Sequence, residues 1–320
     1  MRLENTTAVP AKLVSAPMDG TADVPAFVIA KETYDLSATG VLTEAAEQLP
    51  INAEPIATPF GTFHGEIFPR KDRADFAILG TVRLASAHNE VVVTSRLGKF
   101  SSHLRIIGDR VWMSRWKGGL EPSSPRGFVE MPIAYTRAFG GKSPGPMGEV
   151  AWPHNPDGCG FYQTAEEAVG KNLPNIEWAN LPPLRAWQDR PDPAGWGPYP
   201  MFWGLRASTS VVLDGNKNIA GISRKAFNHA HPAMVVDAIA AGDRVDIEGM
   251  RPQRITFDVP SLPLTLHWTC GSDSGAVALA MDGLYVWVDQ QKVVVTQRAR
   301  FRYPFRPGEV RFARLTKETA

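Results

Sequence analysis

The stretch that decides the fold covers residues 131–206 and reads MPIAYTRAFGGKSPGPMGEVAWPHNPDGCGFYQTAEEAVGKNLPNIEWANLPPLRAWQDRPDPAGWGPYPMFWGLR. Pro and Gly recur every few residues, so the stretch sustains neither the period of a strand nor that of a helix. A disordered linker would be poor in aromatic residues, yet this stretch contains Trp152, Trp178, Trp187, Trp196 and Trp203. We therefore expect an ordered, irregular layer whose aromatic side chains anchor it to β-structure on both sides.

The composition is that of a soluble globular protein, with 43% hydrophobic and 21% charged residues. The net charge of +1 provides no broad field for a nucleic-acid or membrane partner. The chain has only two cysteines, too few for a disulfide framework. It begins without the apolar core of a signal peptide and contains no apolar run of about 18 residues, the length of a membrane helix. We expect a cytoplasmic protein.

On both sides of the central stretch, runs of β-branched and aromatic residues predict strands. They cover residues 24–36, 76–84, 90–97, 103–107 and 110–113 before it, and 244–248, 254–259, 264–269, 276–281, 284–288 and 292–303 after it. Gly108-Asp109 and Asp282-Gly283 predict two-residue hairpin turns. Helices are predicted at 164–171, with Thr164 as N-cap and Glu167 completing a capping box, and at 232–241.

These elements predict a mainly-β fold: two antiparallel, sandwich-like units joined by a long irregular segment rich in Pro, Gly and Trp, with few short helices. The units are residues 1–115 and 233–320, with the central segment 116–232 packed on both, or the whole chain forms one continuous globular domain. In the last strand, Arg298, Arg300 and Arg302 are predicted to share one face, because side chains alternate along a strand.

One cluster of polar side chains could carry a hydrolytic reaction. His154, Asp157 and Cys159 crowd together in the sequence PHNPDGCGF, and a Cys beside a His can act as an activated nucleophile. However, a free Cys is more often a small buried side chain, and NPDG at 155–158 has favourable turn chemistry. A hydrolase acting on carbohydrate or peptide is therefore the alternative interpretation.

A metal site is suggested only weakly. His229 and His231 have the spacing of two ligands on one strand face, and Asp237 follows them. A metal site needs a third ligand and supporting contacts, which the sequence does not place. We predict neither a metal nor a cofactor.

Short sequence blocks in a fixed order extend along most of the chain. They are LENTT at 3–7, VIAKETYDL at 28–36, IGDRVW at 107–112, MPIAYTRAFGG at 131–141, NPDGCGF at 155–161, LPNIE at 173–177, PAGWGP at 193–198 and the block from FN at 227–228 to Pro232. In this order they resemble the bacterial domain-of-unknown-function 2169 family (DUF2169), which includes adaptor proteins of type VI secretion systems. Within the blocks we interpret these residues as structural: Arg137, Phe139, Gly140, Gly141, Asn155, Pro156, Gly158, Gly160, Pro174, Asn175, Gly197 and Pro198.

The resemblance implies an adaptor, or chaperone, without catalytic residues. Such a protein binds a secreted effector toxin, often a nuclease, in the cytoplasm of the donor cell. It helps to load the toxin onto a spike protein of the valine-glycine-repeat type. A structural component that is itself exported is a third interpretation.

For an adaptor, the sequence suggests two surfaces where a partner could dock. The first is the aromatic and basic part of the central segment, because Trp, Tyr and Arg dominate binding hot spots. The residues concerned are Trp187, Arg190, Trp196, Tyr199, Phe202 and Trp203. The second is a free edge strand that accepts an added strand. The basic face at Arg298, Arg300 and Arg302 could steer an acidic partner toward either surface.

Overall fold

The computed structural model describes residues 1–15, 23–304 and 308–318. Strands account for 50% of the chain and helices for 7%, which confirms the prediction of a mainly-β fold. The described helices are α1 (Ala165–Ala168) and α2 (Gly204–Ser210), with 3-10 turns at Tyr135–Arg137, Arg224–Phe227 and Pro232–Met234.

The strands follow one another closely along the chain. The first half contains β1 (Arg2–Asn5), β2 (Ala11–Ser15), β3 (Asp23–Leu36), β4 (Leu42–Glu44), β5 (Ile56–Thr58), β6 (Gly61–Phe63), β7 (Ala74–Leu79), β8 (Thr81–His88), β9 (Glu90–Leu97), β10 (Phe100–Ile107), β11 (Trp112–Ser114), β12 (Leu120–Pro122), β13 (Phe128–Pro132), β14 (Phe139–Gly140), β15 (Lys142–Gly145) and β16 (Gly148–Ala151). The second half contains β17 (Cys159–Gly160), β18 (Ile176–Trp178), β19 (Val211–Leu213), β20 (Ile219–Ile222), β21 (Val235–Val236), β22 (Arg244–Glu248), β23 (Ile255–Asp258), β24 (Leu264–Cys270), β25 (Asp273–Ala278), β26 (Ala280–Trp287), β27 (Lys292–Pro304) and β28 (Arg311–Lys317).

One sheet joins strands from both ends of the chain, in the order β2-β3-β27-β26-β7-β21, with β4 also on β3. β3 and β27 pair antiparallel from Asp23 opposite Pro304 to Asp35 opposite Lys292. β26 runs parallel to β7, and β1 runs parallel to β28 in a second sheet, β1-β28-β24-β25. A third sheet has the order β18-β10-β9-β22-β23. The domain boundaries at residues 115 and 232 stay a prediction.

The two largest hydrophobic cores both include residues of β3 and β27. The larger core contains Phe76 of β7 and Leu104 of β10. The smaller core contains Leu266 of β24 together with Val28 of β3. Tyr34, further along β3, belongs to the larger core. One long strand therefore contributes to both cores.

The central segment packs into the larger core with little regular structure. Tyr135, Trp196 and Tyr199 are buried there. The segment approaches its neighbours so closely that a Cβ added at Gly197 would lie 2.3 Å from the carbonyl oxygen of Phe60. Such contacts explain why a segment without periodicity is nevertheless ordered.

The motif residues hold backbone corners together. The buried Asn155 side chain donates from Nδ2 to the carbonyl oxygens of Tyr135 at 2.7 Å and Phe139 at 3.1 Å. Asn175 accepts from the Arg137 guanidinium at 3.2 Å. The remaining glycines of the motifs pack closely on neighbouring residues: Gly140 on Asn155, Gly141 on Gly158, Gly160 on Pro174 and Gly197 on Phe60. Pro198 forms a β-bridge with Ala230, and Pro156 is half-buried.

Both predicted two-residue hairpins are wrong. Gly108-Asp109 does not join two paired strands, because β10 pairs with β9 and β18 while β11 pairs with β12. Asp282-Gly283 lies inside β26 at a register shift. There the Asp282 carboxylate accepts from Thr296 Oγ1 at 2.7 Å and pairs with Arg298. Tertiary contacts thus turn a local turn signal into a β-bulge.

Of the two predicted helices, only the first forms. α1 is shorter than predicted, but Thr164 Oγ1 accepts from the Glu167 amide at 3.2 Å, as expected of an N-cap. The Glu167 carboxylate instead accepts from Ser143 Oγ at 2.5 Å. The helix predicted at 232–241 is wrong, because after one 3-10 turn the chain enters β21, which pairs with β7.

Candidate protein-binding surface

The sequence-predicted docking residues occupy very different places. Trp196 and Tyr199 have 0% exposure, and Trp196 Nε1 donates to Ser102 Oγ at 2.8 Å. Their assignment to a docking surface was wrong, because a binding hot spot needs an accessible side chain. Phe202, in contrast, is 84% exposed.

The other predicted docking residues of the central segment are committed to internal contacts. Arg190 donates to the carbonyl oxygens of Tyr162 at 2.7 Å and Trp187 at 2.8 Å. Trp187 packs against a small buried cluster around Phe161. The half-buried Trp203 packs edge-on against Tyr199 at 5.3 Å between ring centroids. These three residues stabilise the segment and offer only part of their surface.

The most exposed apolar element is one that the sequence reasoning missed. It is the hairpin at residues 211–222, here called the arm, formed by β19 and β20. Its large side chains are exposed on both faces: Val211 39%, Val212 48%, Leu213 52%, Ile219 71% and Ile222 70%. Among the described residues neither strand of the arm pairs with a third strand. The signal that could have revealed it is the turn sequence DGNKN between two apolar runs.

The base of the arm is held firmly although the arm itself is exposed. Arg206 of α2 is 2% exposed and donates to the carbonyl oxygens of Ala226 at 2.6 Å and of Tyr199. Burial lowers the pKa of Arg206 to about 10. The Ser223 amide donates to the Ser210 carbonyl at 2.8 Å. The two ends of the arm are thereby closed on each other.

A continuous aromatic path leads from Phe202 to the base of the arm. The Phe202 ring lies 6.4 Å from His64, and the His64 ring lies 6.4 Å from His229. Phe68 is 5.6 Å from His229 and stacks on Phe227 at 5.0 Å. Phe227 ends the 3-10 turn that follows the arm. The path passes through the buried His229 and Phe68, so it connects Phe202 to the base of the arm through the interior of the protein.

The predicted basic face is only partly correct. Arg300 and Arg302 are exposed, but Arg298 is 6% exposed. Arg298 pairs with Asp282, and its guanidinium lies 4.1 Å from the centre of the Phe68 ring. Its inclusion in an exposed stripe was wrong, because it is a buried partner of an internal carboxylate.

A cleft of about 430 Å³ opens between residues 298–300 of β27 and residues 69–74. Its walls carry five basic and three acidic side chains, namely Arg70, Lys71, Arg73, Arg298 and Arg300 against Asp72, Asp237 and Asp282. Arg302 does not line it. The cleft is therefore a second candidate binding region, beside the arm, and it is rich in basic side chains.

The three residues of the hydrolase alternative do not form a reactive group. His154 Nδ1 lies 2.7 Å from Asp192 Oδ1, and Asp157 is exposed. Within the described residues no hydrogen bond joins Cys159 to His154 or Asp157. Burial raises the pKa of the Cys159 thiol to about 11, so the thiolate is scarce at neutral pH.

A family model described as "Uncharacterized protein conserved in bacteria (DUF2169)" matches residues 23–298. The chain belongs to this family. The DUF2169 match runs from the first residue of β3 into β27 and includes the whole arm. No curated protein matches the chain, and no solved structure matches it either.

The buried histidines of this DUF2169 protein do not converge on a metal site. No group of three or more His, Cys, Asp or Glu side chains suited to a metal occurs in residues 1–15, 23–304 and 308–318. His231 is fully buried, and burial lowers its pKa to about 3. Its Nδ1 accepts from the Ala233 amide at 3.1 Å. No helix in the same ranges is long and apolar enough to cross a membrane.

Proposed function

We propose that this protein is a non-catalytic adaptor that binds a secreted effector toxin of a type VI secretion system. It would help to load the toxin onto a spike protein of the valine-glycine-repeat type. The proposal takes the secretion context from the resemblance of the sequence blocks, and membership of DUF2169 supports it. The observation that carries the binding role is the arm.

The arm has the physical properties of a protein-docking element. A contiguous exposed apolar patch on a soluble protein marks an interaction site. Both faces of the arm are apolar, and its strand edges are unpaired among the described residues. A partner strand could therefore add to an edge through main-chain hydrogen bonds while its side chains cover the arm. Fully burying each large aliphatic side chain contributes about 1.5–3 kcal/mol.

Co-purification tests the proposal directly. The protein is co-expressed with an effector toxin and a valine-glycine-repeat spike protein from the same bacterium, and complexes are isolated at low salt. We expect a stable complex with the wild-type protein that is about 30-fold weaker for Leu213→Asp, since a hot-spot change costs at least about 2 kcal/mol. Val129→Asp is the matched control, because Val129 has the same 52% exposure but lies on β13.

The alternative function, a hydrolase, is favoured by one observation, the His154–Asp192 pair at 2.7 Å. A carboxylate that orients a histidine is a common element of hydrolytic sites. Turnover of a carbohydrate or peptide substrate that disappears in Cys159→Ala or His154→Ala would support it. The same result, together with no complex at low salt, would overturn the adaptor proposal.

A further inference from the structure

The cleft beside the arm has a charge arrangement that its internal ion pairs leave incomplete. Arg73 pairs with Asp237 at 2.9 Å, Arg298 pairs with Asp282, and Lys71 pairs at 2.9 Å with Asp75, which is buried below the cleft. Each of these three basic side chains therefore already has a carboxylate partner.

Two arginines of the cleft remain available for a ligand. Arg70 and Arg300 are both exposed, and neither forms an ion pair with any residue that the structure describes. Asp72, which is half-buried, is the lining carboxylate that likewise has no ion pair among the described residues. Nε of Arg298 has no hydrogen-bond acceptor but is itself buried, so the guanidinium groups accessible to a ligand are those of Arg70 and Arg300. The rim thus offers an excess of guanidinium donors, which suit carboxylate and phosphate groups.

The cleft-lining segment 69–74 and the residue before it contact the chain that leaves the arm. Phe68, which stacks on Phe227 at the base of the arm, directly precedes the cleft-lining residues 69–74. The Asn228 side chain donates to the carbonyl oxygen of Arg73 at 2.9 Å. Arg224 and Lys225, also at the base of the arm, are exposed and form no ion pair within the described ranges. The basic cleft and the apolar arm are therefore connected through Phe227 and Asn228.

We propose that the cleft binds acidic side chains of an extended segment whose apolar side chains cover the arm. The charges determine this choice of partner: Arg70, Arg300, Arg224 and Lys225 would repel a basic segment and attract an acidic one. A second copy of this chain would bring the same basic residues face to face. We take this segment to belong to the toxin or spike protein, and only this assignment rests on the proposed function.

A peptide of defined charge tests the cleft without the toxin. A fluorescein-labelled Glu-Leu-Glu-Leu-Glu-Leu peptide is titrated with the purified full-length protein at low salt, beside a peptide with Gln in place of Glu. We expect the acidic peptide to bind more tightly and to be released by salt. Arg70→Ala combined with Arg300→Ala should weaken its binding about tenfold, the effect of losing two partly exposed charge pairs.

Arg302→Ala is the matched control, because Arg302 is exposed on the same strand but lies outside the cleft. It should bind the acidic peptide like the wild type. A single Arg300→Gln variant, which keeps hydrogen-bonding capacity, should lie between the wild type and the double variant. Equal affinity of all variants, or equal affinity of the two peptides, would overturn the inference. So would displacement of the peptide by inorganic phosphate but not by free glutamate.

The two proposals can fail separately. Toxin binding that survives the double arginine change contradicts the cleft inference and leaves the adaptor function standing. Acidic-peptide binding without any toxin or spike complex contradicts the adaptor function and leaves the cleft standing.

Discussion

Asp75 is the residue whose replacement should destabilise this protein most clearly. It has 0% exposure and lies on β7, where its carboxylate accepts hydrogen bonds or an ion pair from five groups. They are Lys71 Nζ at 2.9 Å, Tyr285 Oη at 3.1 Å, Asn228 Nδ2 at 2.9 Å, the His229 amide at 2.8 Å and the Ala230 amide at 3.3 Å. The carboxylate therefore joins β7, β26 and the chain that leaves the arm.

The change Asp75→Asn keeps the shape of the side chain and removes its charge. Lys71, whose side chain is 2% exposed, then keeps only Asp282 as a charged partner, at 3.7 Å. Removing one member of a buried ion pair costs about 3–5 kcal/mol. Unfolding entropy of about 2.1 cal/mol/K per residue gives roughly 0.7 kcal/mol/K for this chain, so we expect a melting temperature lower by about 4–8 °C.

Thermal unfolding followed by circular dichroism or calorimetry at pH 7 measures the shift. Asp237→Asn is the control, because Asp237 pairs with Arg73 at the same 2.9 Å while its side chain is 92% exposed. It should shift the midpoint by less than about 1 °C. If Asp75→Asn melts within 1 °C of the control, the reasoning about a buried charged centre is refuted.

The pH dependence of the same centre has a definite sign. The Lys71 ammonium and the hydrogen bonds from the backbone and Asn228 hold the pKa of Asp75 below its ordinary value, despite burial. Its contribution to stability is therefore complete above the pKa of an unfolded Asp, about 4, and is lost as the pH falls through the lower folded value. Asp75→Asn should lack this acid-dependent loss.

Three further predictions concern other parts of the chain. Folding holds the pKa of His231 at about 3, so between pH 6 and 4 the unfolded state binds a proton that the folded state does not. The free energy of unfolding therefore falls as the pH decreases below 6.5. His231→Asn, which keeps an acceptor for the Ala233 amide, should reduce the slope of unfolding free energy against pH in this range by about 1.4 kcal/mol per pH unit, as measured by urea titrations. With a pKa of about 11 against an ordinary 9.0, Cys159 should react with iodoacetamide at pH 8 about 100-fold more slowly in the folded protein than in urea, and equal rates would contradict its burial. Arg206→Met should leave the circular-dichroism spectrum of the β-sheets unchanged but should increase proteolysis within residues 207–223, because Arg206 closes the base of the arm. Arg302→Met should not increase this proteolysis, because no hydrogen bond or ion pair joins Arg302 to the base of the arm within the part of the chain that the structure describes.

The long strands could be predicted from the sequence because β-branched runs specify them locally. β3 and β9 occupy almost the predicted residues. Asp282-Gly283 shows where this reasoning ends: Thr296 and Arg298 lie only 14 and 16 residues away in the chain, yet their contacts with Asp282 decide the local backbone. The preference of an Asp-Gly dipeptide for a turn contributes less free energy than the ion pair between Asp282 and Arg298, so the tertiary contact determines the backbone conformation.

The binding surface was harder to predict for a different physical reason. Residue type indicates how much apolar area a side chain carries, but only a regular period indicates which way it points. Trp196 and Phe202 stand six residues apart in a segment without a period, and one is fully buried while the other is 84% exposed. The turn sequence DGNKN could have predicted that the arm is a hairpin. That no other described element covers it depends on the arrangement of all the other strands, which the local sequence does not specify.

The pairing of β3 with β27 has a consequence for the synthesis of the chain. About 255 residues separate the end of β3 at Leu36 from the start of β27 at Lys292. At about 5–20 residues per second, a ribosome needs roughly 13–50 s to make the intervening chain. Throughout that time β3 can pair with β2 and β4, but its edge toward β27 has no partner. A newly made chain therefore carries an open apolar strand edge until translation is almost complete, and its yield in the cell depends on how well that edge is shielded.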